Sequence, residues 1–255
     1  MSNIDKALEV IMPIAKILNI TENEAREALN IVQEYYAAKA KQVVKPVYKI
    51  IGSTYVVELD PLQLKLIVNQ TSGNDLTLNN AMNACFVGHQ LNNKAYPISM
   101  LISEGNIIHN AQPNGYWSGL LKGKGIKTPT FIIFKNGIVT MTNTNDLSSE
   151  AERIQMAVSG VGCYPKVTGQ GYIGYVPWSS VARATNRIGI GYRAKDNKVL
   201  LVYRPNTSVA RLHDTFANLE CDFGISLDSG NSANLRVKGS DIITTNRQMY
   251  AWITW

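Results

Sequence analysis

The chain has 255 residues, 45% of them hydrophobic and 17% charged, which excludes wholesale disorder and allows one large domain or a domain of about 200 residues with a short appendage. Its net charge of +6 suits an anionic ligand, yet Lys and Arg are spread along the chain, with only Lys39, Lys41, Lys45 and Lys49 in a loose series, which argues against a nucleic-acid binder. No apolar run approaches the roughly 20 residues of a membrane helix, and Asp5, Lys6 and Glu9 interrupt what would be the apolar stretch of a signal peptide, so neither a membrane nor an export role is expected.

Residues 1–45 read as a helical hairpin. Ile4, Leu8, Ile11, Ala15 and Leu18 recur at helical spacing, and Pro13 inside that pattern predicts a kink or a break. Thr21 and Glu24 form a capping box that opens a second helix. Ala25, Leu29, Val32 and Tyr36 line one face of it, with Glu22 and Glu24 in its first turn and Lys39 and Lys41 near its end, as the helix dipole favours. Two helices bury little by themselves. Their stripes pack on the rest of the chain, on a second copy in a homo-oligomer, or on a larger particle. The polar faces carry acidic as well as basic residues, which argues against a membrane surface.

From residue 46 to 255 short apolar runs alternate with Gly, Asn, Pro and Ser, the texture of a sheet protein. Tyr55–Leu59 and Leu62–Val68 read as a strand pair. Ile98–Ile102 and Asn106–Ile108 flank the hairpin signal Glu104-Gly105, and Thr130–Phe134 and Ile138–Met141 flank Asn136-Gly137. Val199–Tyr203 reads as a strand and residues 207–219 as a helix, with Val209, Leu212, Phe216 and Leu219 on one stripe. Phe223–Leu227, Leu235–Val237 and a C-terminal run through Trp252 and Ile253 complete the strands. The expected fold is therefore α+β: a mixed, largely antiparallel sheet domain with packed helices over 46–255, preceded by the helical hairpin of 1–45.

Cys85, Cys163 and Cys221 are far apart and odd in number, so neither a disulfide framework nor zinc spacing is present. His89, His109 and His213 are equally scattered, and His89 and His213 read as ordinary polar or partly buried residues. Tyr116, Trp117, Tyr175 and Trp178 sit in Gly-rich stretches and could stack on a sugar or base, though packing on the domain is the commoner role.

The segment Gly224–Gly239 carries Leu227-Asp228-Ser229-Gly230-Asn231-Ser232, which resembles the Leu-Asp-Gly-Gly-Gly-Ser signature of the phosphodiester glycosidase family, the uncovering-enzyme-like N-acetylglucosamine-1-phosphodiester α-N-acetylglucosaminidase domains. Asn186–Tyr192 resembles the family's Arg-Thr-Ala-Ile-Gly strand. Asn83-Ala84-Cys85-Phe86 is similar to a worn Asn-Gly-Gly-Phe motif, and Met156–Gly160 to its Ser-Gly segment. Tyr96–Ser99, the Glu104-Gly105 hairpin and Arg247–Ile253 fall where the family has comparable pieces. The resemblance covers about residues 50–255.

It implies hydrolysis of a sugar-1-phosphodiester, such as a glycosyl-phosphate bond in a cell-wall polymer or a nucleotide sugar. Arg187 would hold the diester through its planar fork of donors, with Gly189 and Gly191 letting the ligand near the backbone. Asp228 would act as base for water or stabilise an oxocarbenium-like transition state. Asn83, Ser159, Gly160, Gly230, Asn231, Ser232 and Arg247 complete the implied substrate-binding set. The ligand is a phosphorylated sugar or nucleotide sugar. No cofactor is required, and a divalent cation on Asp228 stays open.

The residue-level alternatives stand beside these roles. Asp228 could merely stabilise a turn, and Arg187 could belong to a structural ion pair. Ser229, Asn231, Ala84 and Cys85 stand where the family has glycine, which narrows the space beside the backbone. A non-catalytic binder that sequesters the same ligand, or a phage structural or assembly protein docking through residues 1–45, are the competing functions. The Asn-, Ile- and Lys-rich composition suits a phage or prophage protein, cytoplasmic or virion-associated.

Overall fold

The computed structural model describes residues 3–41, 45–89, 95–97, 100–110, 127–165 and 183–255. The chain falls into two compact units, 1–44 and 45–255.

The first unit holds α1 (Asn3–Ile17) and α2 (Glu22–Lys41). The capping box forms: Glu24 N–H donates to Thr21 Oγ1 at 3.3 Å, and Thr21 N–H donates to the Glu24 carboxylate at 2.8 Å. Leu8, Ala15 and Ala25 are buried, and Arg26 pairs with Asp5 at 2.9 Å to tie the two helices together. Pro13 does not end the helix, which continues to Ile17, and Leu18 falls beyond its end and is exposed. No helix among the described residues is long and apolar enough to cross a membrane.

The second unit is built from strands. In chain order these are β1 (Val47–Ile51), β2 (Thr54–Leu59), β3 (Lys65–Ser72), β4 (Ala81–Asn83), β5 (Val87–His89) and β6 (Ala95–Pro97). Then come β7 (Leu101–Ser103), β8 (Asn106–His109), β9 (Thr128–Phe134), β10 (Val139–Thr144), β11 (Ile154–Ser159) and β12 (Val161–Tyr164). After these follow β13 (Thr185–Arg193), β14 (Lys198–Thr207), helix α3 (Val209–Asn218), β15 (Phe223–Ser226), β16 (Leu235–Val237), β17 (Ser240–Ile243) and β18 (Gln248–Thr254). They form a six-stranded sheet β1-β2-β14-β13-β15-β12, the five-stranded sheets β10-β9-β11-β7-β8 and β17-β16-β4-β18-β3, and a ribbon β5-β6. Every pairing among the described residues is antiparallel.

The fold class therefore differs from the expected α+β domain with packed helices behind a helical hairpin. Among the described residues the chain is mostly antiparallel β, with three α-helices. The physical reason lies in the run lengths: over 46–255 the apolar runs are short and broken by turns, and among the described residues of that range only Val209–Asn218 keeps helical spacing long enough to form a regular α-helix. Ser208 caps it, accepting the Arg211 N–H at 3.3 Å.

The expected pairing of 55–59 with 62–68 also fails. Asp60 and Gln63 form a capping box of their own, which turns Pro61–Gln63 into a 3-10 helix and sends the chain to a different sheet. β2 pairs instead with β1 through a turn at Gly52, and with β14. The Glu104-Gly105 hairpin forms with both turn residues at positive φ (50° and 89°), as a two-residue type I′ turn requires. At Asn136-Gly137 only the glycine is left-handed; the Asn carboxamide instead accepts the Ile138 N–H at 3.1 Å.

The main core lies among the three sheets and includes Leu59, Leu66, Met82, Phe131, Val158, Ile188, Ile190, Leu201, Ile225 and Trp252. Strand alternation sends Val56, Leu200 and Val202 to the opposite face of the six-stranded sheet, where they meet Val209, Leu212 and Phe216 of α3.

Candidate functional site

β15 runs through the core and delivers the chain to Leu227, whose N–H bonds the Ile188 carbonyl at 3.0 Å, and then to Asp228. The chain turns at once, through Gly230 in the left-handed region (φ +68°), into the 3-10 turn Gly230–Ser232. Asp228 is thus fixed on a sheet end and is 8% exposed. Its Oδ2 accepts the main-chain N–H of Val87 at 3.3 Å.

Burial pushes the Asp228 carboxyl up to about 6, while Arg247, the Ser232 hydroxyl and the main-chain N–H groups of Val87 and Ser229 pull it back. Ser232 is fully buried, and its hydroxyl makes no hydrogen bond of ordinary geometry, yet it lies near enough to favour the carboxylate. Cys85 is a close neighbour: burial above all, and then the Asp228 charge, drive its thiol pKa up.

Asn83, at the end of β4, is fully buried. Its Nδ2 donates to the Asp228 main-chain oxygen at 2.9 Å, and its Oδ1 accepts the Asn234 N–H at 2.8 Å. Both ends of the carboxamide are therefore committed to backbone. On the other side, Ser229 Oγ accepts the Ile188 N–H at 3.3 Å and donates to the Leu227 carbonyl at 2.7 Å.

Arg187, next to Ile188 on β13, is buried, and its Nη2 donates to the Arg183 carbonyl at 3.0 Å. Desolvation above all lowers its pKa and the Arg183 charge adds to this, while Cys163 and, last, the Asp228 charge work the other way. Arg187 stands directly opposite Arg204 across the β13–β14 ladder. Arg204 is turned onto α3, donating to Thr215 Oγ1 at 2.6 Å. A Cβ at Gly189 would meet the Ile225 carbonyl oxygen at 2.6 Å and Phe216 at 3.0 Å, and one at Gly191 would meet Phe216 at 2.7 Å, so the space beside these glycines belongs to β15 and α3 rather than to a ligand.

The structure thus brings together Asp228, Ser232 and Arg247, with Arg187 in electrostatic reach and Asn83 behind the turn. Asn231 is exposed beside them. Ser159 and Gly160 serve packing: Ser159 Oγ shares a 2.7 Å hydrogen bond with Thr130, and a Cβ on Gly160 would lie 2.4 Å from the Ser226 carbonyl. His213 packs its ring on Tyr164 at 5.1 Å and contacts Asp214 at 3.2 Å. Tyr116, Trp117, Tyr175 and Trp178 lie outside the described residues, as do Ile98, Ser99 and the side chain of His89. Among the described residues no three His, Cys, Asp or Glu side chains gather as a metal site. Sequence reading missed Val87 and Ser229, because a main-chain donor and a cross-strand hydroxyl leave no motif.

The glycine replacements prove mild. Ser229 has φ −125°, and Asn231, Ala84 and Cys85 are not among the positive-φ residues, so none of the four positions requires glycine here. Gly230, the one left-handed position of the turn, keeps its glycine.

No protein-family model matches the chain, and no curated protein sequence matches it. The solved structures do give matches. The catalytic domain of zebrafish N-acetylglucosamine-1-phosphodiester α-N-acetylglucosaminidase, auto-inhibited by its pro-peptide, matches with a TM-score of 0.60 at 14% identity, over 82% of this chain and 81% of that one. This chain shares its fold with that domain. A hypothetical protein from Synechocystis matches with a TM-score of 0.52 at 10% identity, over 82% of this chain and 61% of that one. At these identities the likeness shows a distant relationship of fold alone.

Proposed function

We propose that the chain hydrolyses a sugar-1-phosphodiester, with Asp228 as the general base. The observation that carries the reading is Asp228 itself, a nearly buried carboxylate on a tight turn with its pKa raised to about 6, with the cation Arg247 acting on it and Arg187 weakly in electrostatic reach. The shared fold supports it.

In this mechanism a water attacks the anomeric carbon while Asp228 takes its proton. The carbon–oxygen bond to phosphorus breaks, and its electron pair leaves with the phosphomonoester. A carboxylate raised to about 6 stays ionised at neutral pH and is a stronger base than an ordinary one. Arg187 holds the diester anion, and Arg247 steadies the charge that grows on the leaving phosphate. Asn231, exposed on the turn, reaches for a sugar hydroxyl. The leaving phosphomonoester is already a good leaving group, so a second carboxylate as general acid is not needed.

The test is turnover of a panel of sugar-1-phosphodiesters and nucleotide sugars by wild type and Asp228→Asn, read by mass spectrometry. Free sugar plus a phosphomonoester from wild type alone is expected. Ligand retained without product would replace the hydrolase with a sequestering binder, and neither product nor retention would overturn both.

A further inference from the structure

We propose that Asn83 and Ser229 are positioning residues that clamp the Asp228 main chain from two sheets, and that neither side chain touches the ligand. The inference rests on the assignment of Asp228 as the base. Its ground is the use to which the polar atoms are already put. Asn83 comes from β4 of the five-stranded sheet β17-β16-β4-β18-β3, and its carboxamide joins the Asp228 carbonyl to the Asn234 N–H, two points on either side of the 3-10 turn. Ser229 comes from the turn itself, and its hydroxyl joins the Ile188 N–H of β13 to the Leu227 carbonyl. A fully buried amide whose oxygen and nitrogen both meet backbone has little left to offer a ligand.

The two grips act on the residues immediately flanking the carboxyl. Asp228 is held at its own carbonyl, and its neighbours Leu227 and Ser229 are pinned to β13, the strand that carries Arg187. The distance between base and cation is therefore set by the joint of two sheets rather than by a loop. Displacement of a base by about 1 Å can cost on the order of a hundredfold in rate. Loosening either grip also changes how the carboxyl meets the groups that face it: Arg247 ahead of β18, Arg187 on β13, Cys85 ahead of β5, the Val87 N–H, and Ser232 on its own turn.

Asn83→Ser and Ser229→Ala test the clamp. Ser229 is only half-buried, so its variant remains available should the Asn83 variant fail to fold. Two readings are taken on each folded variant: kcat and KM on a substrate that wild type turns over, and the titration of the Asp228 carboxyl, followed with carbon-13-labelled aspartate and assigned by difference from Asp228→Asn. The expected result is a kcat at least about tenfold lower with KM within about threefold, together with a displaced Asp228 titration. A raised KM with unchanged kcat and unchanged titration would make the residue a ligand contact and overturn the proposal. A folded variant that alters neither kcat nor titration would overturn it as well. Should wild type turn over nothing, the base assignment fails, while the titration still decides whether the two side chains hold the carboxyl.

Discussion

Gly191 lies against the ring of Phe216 so closely that a Cβ there would stand 2.7 Å from two of its carbons. Gly224, directly across the ladder from Gly191, faces the same ring, with a built Cβ at 2.9 Å. The glycines of β13 and β15 are thus the seat of a helix. Gly191→Ala is expected to force the ring aside and to destabilise by about 1–3 kcal/mol, as overpacking does. Urea unfolding measures it. Gly191→Ala combined with Phe216→Leu should recover part of the loss, because the two sites share one contact. Additive losses would show that the crowding is not the cause.

That seat also marks what the sequence could and could not tell. The Leu-Asp turn, the Arg-bearing strand, the helix between them and both Gly hairpins were legible, because each rests on local spacing or turn chemistry. The class of fold was not. The sequence showed strands but not that strands would dominate the larger unit, nor that Asp60 and Gln63 would divert the chain between sheets. Gly189 and Gly191 read as room for a ligand, because a sequence cannot say which neighbour fills the room. Asn83 was visible only as a motif letter; its partners are 145 and 151 residues away.

Asp228 gives the chain a stability that depends on pH with a definite sign. The folded chain holds this proton up to about pH 6, and the unfolded chain only up to the ordinary range near 3.8. Between those values folding takes up a proton, so the contribution of Asp228 to stability falls as pH rises through that window and stays low above it. Asp228→Asn removes the ionisation. It is expected to stabilise the fold above pH 6, by up to about 3 kcal/mol, and to give much less at pH 4. Urea denaturation at both pH values checks this; an equal effect at the two would refute the raised carboxyl. The same carboxyl should impose an acid limb on kcat/KM near pH 6, with activity lost below it.

Arg187 separates a ligand-binding cation from a structural one. Its burial disfavours its own charge, so Arg187→Met should cost little stability, since an apolar replacement for a buried ion is often neutral or better. Turnover should nevertheless fall sharply. Arg187→Lys keeps a charge but loses the two-pronged geometry, and should lower kcat/KM by about 10- to 100-fold. A Met variant that melts early but keeps its activity per folded molecule would return Arg187 to a structural role.

Cys85 is a fully buried neighbour of Asp228. The thiol is fully buried and close enough to feel the carboxylate, so its bulk is part of what keeps that carboxyl dry. Cys85→Gly should therefore lower the Asp228 pKa toward the ordinary range, because burial is the largest cause of its rise. The acid limb of kcat/KM moves down with it, and the base becomes weaker at neutral pH. The cavity should cost about 1–3 kcal/mol in unfolding experiments. An acid limb that stays in place in the folded variant would mean that other groups seal Asp228, with the neighbouring core side chains and Ser232 the next to be cut back.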